Sequence, residues 1–165
     1  MEASKQKFLE MLSQYQGILH KVCLIYFRHE NDRKDNFQEI VYQMWKSYPN
    51  LTIKNNVASW IYAISINTSI NKIRIDSRME FRETLPESVN FDDMEMQMDN
   101  DEEMMILFDA IHSMNIIDKS IILLYLEEKS YDEISEILGI SKSNVGTRLN
   151  RAKDKLKKNL NAKGL

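Results

Sequence analysis

Residues 130–158, SYDEISEILGISKSNVGTRLNRAKDKLKK, decide how this chain is read. Ser130-x-x-Glu133 has the form of a capping box and starts a short helix. Ile134, Ile137 and Leu138 then keep to one of its faces. Gly139 supplies the left-handed residue of a turn, Ile140 fills the corner, and Ser141 caps a second helix. That helix turns Val145, Leu149, Ala152 and Leu156 inward at spacings of four, three and four. Lys142, Ser143, Asn144, Gly146, Thr147, Arg148, Asn150 and Arg151 fall off this stripe. A helix, a glycine turn and a basic second helix make the layout of a helix-turn-helix. Short polar side chains at the start of the second helix, with arginines behind them, suit base edges and phosphates in a major groove.

Charge separates this from an amphipathic hairpin that merely faces water. From Gly139 to Leu165 the chain carries eight Lys/Arg and one acid, a local net of +7. Residues 1–138 hold fourteen Lys/Arg and twenty-four acids, a net of −10. A basic tail on an otherwise acidic chain points to a nucleic-acid contact.

Four Gly and two Pro among 165 residues leave few turn formers, and alternating apolar–polar runs are short. The fold class expected is therefore all-α, as two small helical domains joined by an acidic flexible linker. No stretch has the make-up of a signal peptide or the length of a bilayer span, so a soluble cytoplasmic protein is expected. Cys23 is the single cysteine, which excludes an internal disulfide and a thiolate metal cluster. Lying among Val22, Leu24 and Ile25, it reads as a small core residue. His20, His29 and His112 lack ligand spacing, so neither a metal nor a cofactor is expected.

Working outward, Phe8, Met11, Leu12, Tyr15, Ile18, Leu19, Val22 and Ile25 recur at threes and fours and predict a helix over 4–28. A second helix over 32–48, capped by Asn31 or Asp32, carries Phe37, Ile40, Val41, Met44, Trp45 and Tyr48 inward and stops at Pro49–Asn50. A polar loop precedes a third helix over 57–78. Its inner face is expected to be Val57, Trp60, Ile61, Ile64 and Thr68. Its outer face is expected to show Tyr62, Ser65, Asn67, Asn71, Lys72, Arg74 and Arg78. Trp45 and Trp60 read as core anchors. Between Glu83 and Asp118 there are eleven acids and no Lys or Arg. The expected division is a helical domain over 1–80, an acidic linker over 81–102 and a second helical domain over 103–165. In the latter, Met104, Leu107, Phe108, Ile111 and Met114 form one stripe and Ile121, Leu124 and Tyr125 another, with a break at Asn115 and Asp118.

Two stretches together carry a family resemblance. DRKDNFQEIVYQMW with ASWIYAISINTSINKIRIDSR (58–78) resembles the second region of bacterial sigma factors. YDEISEILGISKSNVGTRLNRAK resembles their fourth region. The third-region domain of larger sigmas is replaced by a short acidic segment, which is similar to the two-domain, extracytoplasmic-function group. Asn36 stands where that family is usually apolar, Ala63 where Arg is common, and Gly146 where a long basic side chain is frequent.

The resemblance implies promoter recognition, promoter melting and transcription initiation in company with core RNA polymerase. It implies docking on polymerase through Asp35, Gln38, Glu39 and Tyr42. It implies a grip on the minus-ten promoter element through Lys54, Asn55, Asn56, Tyr62, Asn67, Asn71, Lys72, Arg74 and Arg78. It assigns the minus-thirty-five element to Lys142, Ser143, Asn144, Gly146, Thr147, Arg148, Asn150 and Arg151, and adds an anti-sigma factor as a further partner. The alternative is a helix-turn-helix regulator that binds an operator as a dimer. For an enzyme, the chain offers no Ser/His/Asp, Cys/His, P-loop or metal-ligand constellation.

Overall fold

A computed structural model describes residues 2–51, 56–80 and 102–162, except for the side chains of 50 and 77–80. Among these residues all regular structure is helical. The chain divides into two units, residues 1–90 and 91–165. The acidic linker expected over 81–102 lies outside the described residues apart from Glu102.

In the first unit, α1 (Glu2–Tyr26) and α2 (Glu30–Ser47) are joined by three residues and pair as a hairpin, and α3 (Val57–Glu80) packs on both. A short 3-10 turn, Tyr48–Asn50, ends α2 at Pro49. Leu19, Ile40, Met44 and Ile61 are fully buried, with Phe8 and Cys23 beside them. Each such aliphatic side chain contributes about 1.5–3 kcal/mol on leaving water.

The start of α2 differs from expectation. Its N-cap is His29, with extended backbone and no side-chain cap bond, whereas Asn31 and Asp32 lie exposed within the helix. Arg33 does the joining there. It is only 4% exposed, and its Nη1 donates to the carbonyls of Phe27 and Arg28, just beyond the end of α1.

The face that α3 buries is also displaced. Ile61, Tyr62, Ser65, Ile66, Ser69 and Ile70 are buried, while Val57, Trp60, Ile64 and Thr68 are only half-buried. A helix held by two neighbours covers two adjacent stripes rather than one, so Tyr62 and Ser65 move from the expected outer face to the interior. Small serines admit a polar contact inside: Asn36 Nδ2 donates to Ser69 Oγ at 2.8 Å and to Cys23 Sγ at 3.4 Å, and Ser69 Oγ donates to the Ser65 carbonyl at 2.7 Å.

The second unit comprises α4 (Glu102–His112), α5 (Ile116–Leu126), α6 (Tyr131–Leu138) and α7 (Lys142–Ala162), and α7 packs on all three others. Ile111, Ile121, Ile122, Leu123, Leu124, Ile134, Val145 and Leu149 are at most 2% exposed and form its interior. Met104 and Tyr125, expected on inner stripes, are exposed. Lys153 lies over the Tyr125 ring at 4.5 Å, a contact that suits a half-wet tyrosine better than burial.

Helix α5 ends in a reciprocal pair of backbone bonds. Lys129 N–H donates to the Leu124 carbonyl and Glu128 N–H to the Tyr125 carbonyl, which satisfies two orphan acceptors. The motif needs a left-handed residue, and Glu128 fills that position with φ 60°.

Candidate nucleic-acid interface

The helix-turn-helix is built largely as its residues dictate. Ser130 Oγ accepts from Glu133 N–H at 3.1 Å and caps α6. Gly139 takes φ 69°, and its N–H donates to the Ser135 carbonyl at 2.9 Å to close the helix. Ser135 Oγ donates across the turn to the Ile140 carbonyl. Ser141 Oγ then accepts from Asn144 N–H at 3.1 Å and caps α7. Val145, Leu149 and Ala152 are fully buried, which fixes the opposite face of α7 outward.

On that outward side Lys142, Ser143, Thr147, Asn150 and Arg151 are exposed, while Asn144, Gly146 and Arg148 are half-buried. Lys142 Nζ lies 3.3 Å from Asp132 in an exposed pair, which holds it weakly and leaves it able to exchange for a phosphate. Thr147 Oγ1 donates back to the Ser143 carbonyl at 3.1 Å. Gly146 meets the ring of Tyr131: a Cβ there would lie 3.5 Å from Tyr131 Cε2, an ordinary contact. The missing side chain thus leaves room beside an aromatic from α6.

Arg148 differs from the other basic residues of this face. Its Nη1 donates to Asp118 Oδ1 at 3.3 Å, across to the first turn of α5.

In the first unit Asn67, Asn71 and Arg74 are exposed on α3 and Lys72 is half-buried. Asn67, Asn71 and Lys72 line a groove of about 650 Å³ between α2 and α3, whose other wall includes Glu39 and Gln43. Two surfaces that the sequence keeps apart are therefore contiguous. Asn56 is exposed and its Oδ1 accepts from Ser59 Oγ at 3.1 Å, at the start of α3. Tyr62, expected on this surface, is buried at 3% exposure and cannot stack on a base. Lys54, Asn55 and the Arg78 side chain lie outside the described residues.

Asp35, Gln38, Glu39 and Tyr42 are all exposed and, at spacings of three or four and seven, share one face of α2. Gln43 Nε2 donates to Glu39 Oε1 at 2.9 Å. Beside this face runs an apolar groove of about 470 Å³ lined by Phe8, Leu9, Val41, Tyr42 and Trp45. Trp45 is not the core anchor its stripe suggested. It is 43% exposed and meets Phe8 edge-on at 5.0 Å. Leu9 is 45% exposed, and sequence periodicity gave it no role. Its spacing of one from Phe8 was the available signal that it lies at the rim of the core.

Among the described residues no group of three or more His, Cys, Asp or Glu is placed to hold a metal ion. Nor is any described helix long and apolar enough to cross a membrane.

Comparison with known proteins agrees in both halves. The family model described as Sigma-70 region 2 matches residues 11–79, and the one described as Sigma-70, region 4 matches 104–156. The RNA polymerase sigma factor YlaC of Bacillus subtilis is 28% identical, with 80% of this chain and 79% of that protein covered. The ECF RNA polymerase sigma-E factor of Haemophilus influenzae is 27% identical, with 93% and 87% covered. Among solved structures, the sigma factor RpoE of Bartonella quintana, crystallised with the anti-sigma factor NepR, superposes with a TM-score of 0.73 at 18% identity, over 98% of each chain. CnrH, solved with the cytosolic domain of CnrY, gives 0.65 at 17% identity, over 96% of this chain and 90% of that one. With both matched regions in the expected order and relatives aligned along most of its length, the chain belongs to the sigma-70 family, in its extracytoplasmic-function group, whose members direct transcription initiation.

Proposed function

We propose that this sigma factor binds core RNA polymerase through the exposed face of α2, at Asp35, Gln38, Glu39 and Tyr42, and carries it to a specific promoter set in the cytoplasm. Its role is to select and open promoters, with no catalytic step of its own. The neighbouring Leu9 and Trp45 give that face the apolar centre and polar rim of a protein interface. Residues 1–80 serve the minus-ten element, 81–102 the connection, and 103–165 the minus-thirty-five element.

The observation that carries the promoter reading is the exposed row Lys142, Ser143, Asn150 and Arg151, held outward by the buried Val145–Leu149–Ala152 stripe. A capped helix that presents short polar groups first and arginine behind can enter a major groove and read base edges. Asn144, Gly146 and Thr147 complete the base-facing turn. For the minus-ten element, Asn67 and Asn71 offer hydrogen bonds to an unstacked base, and Lys72 and Arg74 offer charge to phosphates, with Lys54, Asn55, Asn56 and Arg78 at either end. Extruding a base costs a few kcal/mol, which such contacts offset. Because the solved neighbour RpoE was crystallised with an anti-sigma factor, we extend the same kind of partner to this chain.

The test is transcription in vitro with purified core polymerase and a genomic promoter library, with and without this chain. Discrete new start sites are expected only in its presence. Asp35→Arg and Glu39→Arg should each reduce co-purification with core while the far-UV circular dichroism stays that of the parent. Undiminished co-purification would remove the docking face. Tight binding to a palindrome by the chain alone, as a dimer, would replace the sigma reading with that of an operator-binding regulator.

A further inference from the structure

The pair that joins Asp118 to Arg148 spans thirty residues of sequence and two helices, and it engages an arginine that the family resemblance assigns to the promoter. Asp118 sits in the first turn of α5 and is 9% exposed. Both of its carboxylate oxygens are engaged. Asn115 Nδ2 donates to Oδ2 at 2.8 Å, and Arg148 Nη1 donates to Oδ1 at 3.3 Å. Asn115 Oδ1 in turn accepts from Asp118 N–H at 2.9 Å and caps α5, while its Nδ2 holds the carboxylate rotamer. The first turn of a helix also favours a negative charge. The acceptor is therefore held by contacts that do not involve the arginine.

Arg148 lies midway along the DNA-facing part of α7, next to the buried Leu149. Its guanidinium is turned back onto α5, whereas Lys142 and Arg151 on the same helix project to solvent. An ion pair with one partner only 12% exposed is better shielded from water and salt than one on the open surface.

We propose that Asp118 and Arg148 form a positioning pair for promoter recognition. Asp118 holds the Arg148 guanidinium against α5, which fixes the rotation of the recognition helix α7 and keeps that charge off the phosphates. The inference rests on the promoter-binding reading above and removes Arg148 from the list of direct contacts. Arg148 then acts on affinity through geometry, and Asp118, an acid on the DNA-binding unit, acts in favour of binding.

Salt dependence separates the roles, because each phosphate neutralised by a protein cation adds about 0.9 to the slope of log affinity against log salt. Holoenzyme reconstituted with the full chain is titrated against a labelled promoter duplex recovered from the library selection, over about 50–200 mM salt. For Arg148→Met the expected result is a loss of roughly three- to tenfold in affinity with the parent's slope unchanged. Arg151→Met, as a contact control, should lower the slope by about 1. Asp118→Asn should weaken binding like Arg148→Met, and the double variant should be no weaker than either single one.

A slope reduced by about 1 in Arg148→Met would make Arg148 a phosphate contact and overturn the proposal. Unchanged affinity at temperatures where the variant is folded would reduce the pair to a stabilising contact and overturn it equally. If Arg148→Met does not fold, Asp118→Asn decides alone. Weaker binding at constant slope upholds the pair, and tighter binding with a steeper slope shows Asp118 competing with DNA for a contact arginine. Failure of the parent holoenzyme to bind any promoter would overturn the sigma reading itself, and this proposal with it.

Discussion

At the scale of single residues, the buried polar groups of the first unit are the least expected feature. Asn36 is fully buried in α2 beside Ile40 and Met44, with Arg33 the other buried polar residue of that helix, and its amide donates to Ser69 and Cys23. Burial pushes the Cys23 thiol from its ordinary 9.0 up to about 11, although the Asn36 hydrogen bond and the Arg33 charge both pull it down. A thiol so placed stays protonated at neutral pH and is a poor nucleophile, in keeping with a packing role. Because the folded value lies above the unfolded one, the folded state holds the proton more tightly. The associated stability is fully present below pH 9 and is lost as pH rises towards 11. Denaturant unfolding of the parent and of Cys23→Ala should therefore converge across that interval, the parent losing its advantage with increasing pH. A constant difference between them would show that the thiol is not shielded.

At the scale of helices, ends and faces were set by different forces. The ends of α6 and the start of α7 follow local chemistry, as Ser130, Gly139 and Ser141 cap where their side chains and backbone freedom direct. The end of α5 follows the neighbours instead. The chain needs a left-handed residue there to turn into α6, and Glu128 adopts it without glycine's freedom. A non-glycine residue in that region costs about 1 kcal/mol. Glu128→Gly should accordingly raise the stability of the second unit by up to about 1 kcal/mol, and Glu128→Val should lower it, both measured by thermal unfolding. Equal melting temperatures for the three proteins would show that the turn carries no strain.

At the scale of the molecule, each unit has an interior of its own: Leu19, Ile40, Met44 and Ile61 in one, Ile121, Leu124, Ile134 and Leu149 in the other. Truncating a fully buried aliphatic side chain costs about 2–5 kcal/mol. Ile61→Ala should speed amide hydrogen exchange in α1–α3 and leave α4–α7 at the parent's rates, while Leu124→Ala should do the converse. Faster exchange in both units from either substitution would reveal one cooperative core in place of two.

The sequence alone determined the helical class, the helix-turn-helix with its caps, and the sign of the charge on each half. Those properties are written in neighbours three and four residues apart, where backbone sterics and periodicity act. Tertiary structure decided what local spacing cannot encode. It turned Tyr62, Ser65 and Asn36 inward because α3 is covered by two helices at once. It left Trp45 at a surface, 43% exposed, where it meets Phe8 edge-on. It turned Arg148 back onto α5, because an aspartate thirty residues away, held by Asn115, faces it there.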